Sequence, residues 1–246
     1  MEIVKFRDLS IINLGDKNLV VANDSSGSIG SKENDALKVD PEVVGYHAAQ
    51  VALMEIIAYG AKPVLVINNL CVEMKPTGKR IIDGVVQAMN SVGMDTTQCL
   101  NGSTEENFIT TMTGIGITVL GVTDIVQTPI FKSEKRDLVA VLGMPLVGQE
   151  IIDAGKSEVM NAGLLKKVRS LPYIKEILPV GSTGIRNELR NIERDAKSKA
   201  LIFKTDLDLE KSSGPSTSVL VTLKEEDSHK LSEDLDIKTT PLAILI

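Results

Sequence analysis

The sequence has no tryptophan, and its few phenylalanines and tyrosines bring the aromatic share to only 3%. A core must therefore be built from Val, Ile, Leu, Ala and Met, and the stacking faces that hold single-stranded nucleic acid are missing. Positive charge is also short: 27 Lys and Arg stand against 33 Asp and Glu, a net charge of −6. That argues against a general nucleic-acid or anionic-membrane surface, though not against one local basic pocket. Two cysteines, Cys71 and Cys99, make neither a CxxC pair nor a zinc site, and both fall in apolar, strand-like stretches. They are expected to be buried thiols in a reducing cytosol. Two histidines, His47 and His229, are too few and too far apart for a metal cluster. No run is long and apolar enough to span a membrane; "TGIGITVLGV" is too short and carries Thr and Gly. The opening "MEIVKFRDLS" has no signal-peptide hydrophobic region, so a soluble cytoplasmic protein is expected.

What is present is an ordinary globular composition. With 246 residues, 43% hydrophobic and 24% charged, the chain is long enough for one large domain or two small ones. "SIINLGDKNLVVA" reads as two strands around a turn at residues 15 to 18. The polar segment "NDSSGSIGSKEND" (23–35) follows as a loop. Asp40 as N-cap, Pro41 at the first helical position, Glu42 in the first turn and Gly60 as stop delimit a helix. "PVLVINNL" is a buried strand, and residues 78–90 form a helix with Ile81, Ile82, Val85, Val86 and Met89 on one face. "MDTTQCL" (94–100) reads as a strand, "NGSTEEN" (101–107) as a polar loop, and "FITTMTGIGITVLGV" as a long strand region. Composition shifts at 125–136, which sets domains at 1–130 and 131–246. Beyond it come strands "LVAVLGM", "IKEILPV", "ALIFK", "SVLVTL" and "LAILI". Between them lie a helix "SEVMNAGLLKKVRSL" capped by Ser157, a helix "STGIRNELRNIERDAK" with Ile185, Leu189, Ile192 and Ala196 inward, and a short helix carrying Leu231 and Leu235. Strands and helices mix in both halves, so the class is α/β or α+β.

Three places carry chemistry. The first loop has the form Asp24-x-x-Gly27-x-x-Gly30-x-Lys32. Glycines let backbone N–H groups turn toward an anion, a lysine adds a point charge, and an acid at a strand end suits Mg²⁺. The pattern is neither GxxxxGK[ST] nor GxGxxG, and a plain surface loop has the same composition. Glu55 falls inside the apolar stripe formed by Val44, Ala48, Val51, Ala52 and Ala58 on the first helix. A carboxylate there costs several kcal/mol, on the order of an unpaired buried ion, unless a cation compensates it or it reaches water at the helix edge. "NGSTEEN" sits at a strand end, where it is either a turn or a nucleotide contact. No Ser/His/Asp or Cys/His arrangement stands out.

In order and spacing these segments resemble the aminoimidazole ribonucleotide synthetase superfamily, which includes thiamine-monophosphate kinase, selenophosphate synthetase and the hydrogenase maturation dehydratase. "NDSSGSIGSK" resembles that family's Asp-Gly-Val-Gly-Thr-Lys loop. "ALMEIIAYGAKPV" resembles its NDI-x-x-x-GA-x-P block, with Glu55 in place of Asp. "NGSTEEN" resembles GG[ED]T, with Ser103 for the acid. "FRDLSII" takes the place of GDDAAV, with Asp8 surviving, and "VGSTGIRNELRNIERDAK" resembles SDGL-x-x-D, with Thr183 for Asp. The chain is shorter than the usual members and has no cysteine in its first glycine loop. The variants "ALMEIIAYGA", "NGSTEENF", "VGSTGI" and "SSGPSTS" are most similar to the α-ribazole kinases.

The resemblance implies a two-domain α/β (α+β) fold whose N-terminal sheet forms a barrel across a homodimer, with a C-terminal α+β domain for substrate. It implies ATP and Mg²⁺ as cofactors and a small nucleoside as phosphate acceptor. Asp24, Glu55 and Asp8 would serve Mg²⁺; Gly27, Ser28, Gly30 and Lys32 would hold phosphate, with Lys32 also catalytic beside Asp24 and Glu55. Asn101, Gly102, Ser103, Thr104 and Glu105 would line the nucleotide. Ser182, Thr183 and Gly184, at a helix N-terminus, would take an anionic group. Three readings stay open: an α-ribazole kinase, another ATP-dependent member (thiamine-monophosphate-kinase-like or an amidine-forming synthetase), and a catalytically degenerate nucleotide-binding subunit.

Overall fold

The structure, a computed structural model, describes residues 2–124 and 132–246. The chain divides into two compact units, Met1–Thr128 and Pro129–Ile246. The composition shift at 125–136 falls largely outside the described residues.

In the N-terminal unit the elements are β1 (Ile3–Phe6), β2 (Leu9–Asn13), β3 (Lys17–Gly27), β4 (Ile29–Gly30), β5 (Leu37–Lys38), α1 (Pro41–Tyr59), β6 (Lys62–Leu70), α2 (Lys79–Ser91), β7 (Leu100–Thr104) and β8 (Gly114–Asp124). Six strands form one sheet in the order β1-β2-β3-β8-β6-β7, antiparallel except for the β6–β7 pair. Burial alternates with the two-residue period of a strand. Val20 and Ala22 of β3, with Ile115, Ile117 and Val119 of β8, are buried on one face; Leu19, Val21, Thr118 and Leu120 are half-buried on the other.

α1 covers the first face. The Asp40 carboxylate accepts from the Glu42 N–H at 3.0 Å, and Gly60, at φ 92°, ends the helix with its N–H on the Ile56 and Ile57 carbonyls. The caps read from the sequence are the caps found. α1 meets β8 where Gly121 lacks a Cβ, which would lie 2.5 Å from Ile56 Cγ2. α2 packs on α1 through a second pair of glycines. A Cβ on Gly45 would come 1.9 Å from the Ile81 carbonyl oxygen, and one on Gly84 would come 1.9 Å from that of Glu42.

The C-terminal unit contains β9 (Asp137–Gly143), α3 (Gln149–Asp153), α4 (Ala162–Ser170), β10 (Glu176–Pro179), α5 (Gly184–Asp195), β11 (Ala200–Ile202), β12 (Ser218–Lys224), α6 (His229–Asp234) and β13 (Thr239–Leu245). Five antiparallel strands run in the order β10-β12-β9-β13-β11. Ile185, Leu189 and Ile192 of α5 join Val139, Val141 and Leu220 in one core cluster. Every residue of β9 is buried, which explains its unbroken apolar run.

Several sequence expectations are corrected. Asn23–Gly27 is strand, not loop: β8 has eleven residues and pairs β3 along its whole length, from Lys17↔Asp124 to Gly27↔Gly114. That ladder overrides the turn preference of Ser and Gly. The strand placed at 94–100 is instead β7 at Leu100–Thr104, because Asp95 closes a local turn on the Thr97 N–H and hydroxyl at 2.9 and 2.7 Å. Residues 108–112 are mostly exposed loop, with Phe108 79% and Ile109 97% accessible, and Thr113 is buried at its end. α4 is capped not by Ser157 but by Asn161, whose side chain accepts from the Leu164 N–H at 2.9 Å. Neither cysteine is buried: Cys71 is exposed and Cys99 half-exposed.

Candidate functional site

The sheet registers bring one set of polar residues to a single row of the N-terminal unit. Asp24 of β3 stands opposite Ile117 of β8, Ile117 opposite Asn68 of β6, and Asn68 opposite Gly102 of β7. At one strand spacing per step, Asp24 and Asn68 lie about 10 Å apart across the sheet. Burial pushes the Asp24 carboxyl up to about 6, against a backbone hydrogen bond from Ser25 that lowers it. This is a half-buried acid whose charge is poorly compensated. Asn68 is 3% exposed and its amide nitrogen has no hydrogen-bond partner. Its side chain occupies the space a Cβ on Gly102 would need, 1.6 Å from Asn68 Oδ1. A buried amide donor left unpaired costs roughly 1–3 kcal/mol unless something outside the chain accepts from it.

Above this row the loop from Ser28 to Lys38 is fixed by two carboxylates. Asp35, buried, accepts from the Thr113 N–H and hydroxyl, each at 2.7 Å, and from the Lys32 N–H at 2.8 Å. Its burial favours the neutral acid, but those hydrogen bonds win and hold the carboxyl below the usual range. Gly30, at φ 148°, is where the loop must be glycine, since a Cβ would strike Thr113 Oγ1 at 2.5 Å. The second carboxylate, Glu73, pairs with the Lys32 ammonium and accepts from the Thr77 hydroxyl at 2.6 Å. Burial would raise Glu73 too, but Lys32 and Thr77 outweigh it and hold it at about 2. Lys32 is thus gripped at its backbone by Asp35 and at its ammonium by Glu73. Much of the loop's backbone is turned inward: Ser28 N–H donates to Thr113 O, Asn34 N–H to Thr111 O and Val39 N–H to Gly30 O.

The other residues expected to act are distributed as follows. Asp8 is exposed in the β1–β2 turn, two residues beyond the Ser10↔Val21 pair and so at the level of Asn23. Glu55 is half-buried on α1, one turn before Tyr59, whose ring lies 5.7 Å from that of Phe6 on β1. Gly27 ends β3 and Ser28 follows it at φ 61°. Asn101, Gly102 and Ser103 are exposed on β7, and Thr104 donates to Glu106 Oε1 at 2.8 Å. Glu105 turns back on its own loop, accepting from the Asn107 and Phe108 N–H groups. Glu106 also accepts from the Met74 N–H at 2.7 Å, which ties the β7 end to the Glu73 segment. Ser182, Thr183 and Gly184 belong to the C-terminal unit, at the start of α5. There Thr183 makes no capping bond, and Gly184, at φ 80°, faces the Leu209 carbonyl. Among the described residues no group of three or more His, Cys, Asp or Glu is arranged to hold a metal ion. Asp35, Asn68, Glu73 and Thr113 were missed in the sequence, although the "NN" inside an otherwise apolar strand is a visible signal for Asn68.

Residues 7–123 match the family described as AIR synthase related protein, N-terminal domain. No curated protein matches the sequence. Among solved structures the fold is similar to AaThiL complexed with AMPPCP and TMP, at TM-score 0.65 and 16% identity over 97% of this chain and 84% of that one. It is similar to thiamine-monophosphate kinase from Stenotrophomonas maltophilia K279a, at TM-score 0.66 and 14% identity over 99% and 88%. It is also similar to hydrogenase maturation protein HypE in complex with ATP, at TM-score 0.64 and 14% identity over 92% and 76%. At such identities these likenesses concern the fold. Over residues 7–123 the chain is thus similar to the AIR synthase related family, to which the spaced motifs also point.

Proposed function

We propose that the protein is an ATP-dependent kinase that transfers the γ-phosphoryl group of ATP to the 5′-hydroxyl of α-ribazole. The hydroxyl oxygen attacks the γ-phosphorus, the bond to ADP breaks, and the hydroxyl proton is released, giving α-ribazole 5′-phosphate and ADP. The carrying observation is the sheet row itself, in a domain similar to this family: an undercompensated carboxyl at Asp24 and an unpartnered amide at Asn68, about 10 Å apart. An acid in that state suits a cation, and an orphaned N–H suits a phosphate oxygen. Mg²⁺ needs only one or two protein carboxylates when phosphates and water complete its shell, so Asp24 would hold it, with Asp8 and Glu55 the further acids that the resemblance implies. When bound, Mg²⁺ neutralises phosphate charge. Lys32, held by Asp35 and Glu73, keeps two ammonium donors for a phosphate, and the "NGST" strand faces the nucleotide. The acceptor is assigned from the likeness of "NGSTEENF" and "SSGPSTS" to α-ribazole kinases.

A second reading, a nucleotide-binding subunit without turnover, is favoured by Ser103 and Thr183 where the family usually has acids. Incubation with ATP, Mg²⁺ and a panel of α-ribazole, thiamine phosphate and aminoimidazole precursors separates the readings. α-Ribazole is expected to be phosphorylated and thiamine phosphate not. Turnover of thiamine phosphate with α-ribazole inert overturns the acceptor; tight nucleotide binding with no turnover on any acceptor establishes the second reading.

A further inference from the structure

We propose that the C-terminal unit carries a binding site for a small oligophosphate, built at the end of α5. A cavity of about 700 Å³ there is lined by Lys135, Arg190, Arg194, Lys197 and Lys199, with Glu193 the one acidic side chain among the described lining residues; Ser198 and Ile246 complete it, an Ile246 carboxyl oxygen accepting from the Lys199 N–H at 3.1 Å and the Ser198 hydroxyl at 2.8 Å. Glu193 is already used, its carboxylate accepting from the Ala200 N–H at 2.8 Å. Arg194 pairs with Asp195 at 2.9 Å. Lys135, Arg190, Lys197 and Lys199 have no carboxylate partner among the described residues.

Elsewhere in the same unit lysines are paired closely: Lys175 with Asp137 and Glu134, Lys224 with Glu134, Lys211 with Glu150. Crowding unpaired cations into one hollow of a chain with net charge −6 costs repulsion that a bound anion removes. The negative end of the α5 dipole accounts for cations in and just after its last turn, Arg194 and Lys197. It does not account for Lys135, which precedes β9, for Lys199, which leads into β11, or for Arg190, more than a turn from the helix end.

The occupant follows from charge. The hollow is open and its cations are exposed, so charge rather than enclosure must hold the ligand. Several cations converging on it call for several negative charges on one molecule, and the Arg190 guanidinium offers paired donors that match phosphate oxygens. The site does not depend on the kinase reading, which rests on the N-terminal unit.

Calorimetric titration of the full chain with inorganic tripolyphosphate tests it. Saturable one-to-one binding at about 0.15 M salt is expected, weakening as salt rises. Arg190→Gln with Lys197→Gln should weaken it by at least about tenfold, the scale of one lost charge-assisted bond. Lys135→Gln with Lys199→Gln should weaken it similarly, and Lys62→Gln, at the exposed start of β6 in the other unit, should leave it unchanged. ATP titrated into wild type and into Arg190→Gln with Lys197→Gln then separates a nucleotide tail, whose binding at this site the double variant loses, from a free oligophosphate, for which the two ATP titrations coincide. Absence of saturable binding, or equal binding by wild type and by both double variants with intact circular dichroism, overturns the proposal.

Discussion

Asp24 carries a carboxyl that its surroundings disfavour as an anion. Asp24→Asn therefore should raise the urea midpoint at neutral pH without nucleotide, while lowering kcat with α-ribazole by about ten- to a thousand-fold. A variant with wild-type kinetics would remove Asp24 from the site. Glu73 makes the reverse case, being held at about 2 by Lys32 and Thr77. Glu73→Ala strands a largely buried ammonium and should cost roughly 1–3 kcal/mol by urea unfolding and raise KM for ATP more than it lowers kcat. His47 adds a pH dependence. Burial lowers its pKa from 6.5 to about 4, so on acidification the unfolded chain takes up the proton first. Stability gained from neutral His47 is complete above about 6.5 and lost as pH falls toward 4. Urea midpoints across that window should fall less steeply for His47→Gln than for wild type; parallel curves would contradict it. The sequence displays Asp24 because an acid ending a hydrophobic run is a local pattern. It hides Glu73 and Asp35 because their partners are 41 and 78 residues away, and only the folded sheet brings them together.

α1 shows what an element needs to be read from sequence alone. Asp40, Pro41 and Gly60 are local signals, and both ends were placed by them. β7 lacks such signals. Its position is set by parallel pairing with β6, Val66↔Leu100 through Leu70↔Thr104, which no local preference encodes. The same ladder puts "NGST" on an exposed edge strand rather than in a loop. The α1–α2 crossing is likewise a matter of contact, and Gly45 and Gly84 are glycine because each faces the other helix's backbone. Gly45→Ala and Gly84→Ala should each destabilise the chain by about 2 kcal/mol or more, since backbone rather than a flexible side chain must give way. Gly116→Ala, whose added methyl would meet Asn69 at no closer than 3.9 Å, serves as the control and should change the urea midpoint little. Equal effects at all three positions would show that the crossing is looser than these distances state.

At the scale of the whole molecule, the N-terminal sheet poses the question of its second face. α1 and α2 stack on one side only. On the other, Leu19, Val21, Leu65, Ile67, Leu120 and Val122 form an apolar field of half-buried side chains across β3, β8 and β6, and among the described residues neither α1 nor α2 covers it. Val21, Leu120 and Leu65 stand in one cross-strand row at its centre, with Ile3 of β1 60% exposed at the rim. A sheet with an apolar face needs a second layer, and a copy of itself related by a two-fold axis is the commonest one for a small unit. We expect a homodimer in which two such faces close on each other, as the family resemblance implies. Light scattering at micromolar concentration should give the mass of two chains. Leu120→Arg places a charge in the middle of the row, where a second copy would leave it desolvated and unpaired. The same residue faces solvent in an isolated unit and disturbs neither α1 nor its core. The variant should therefore run as a monomer with a circular dichroism spectrum like that of wild type. Wild-type protein that scatters as a monomer, or a Leu120→Arg variant that remains dimeric, would exclude this face as the interface.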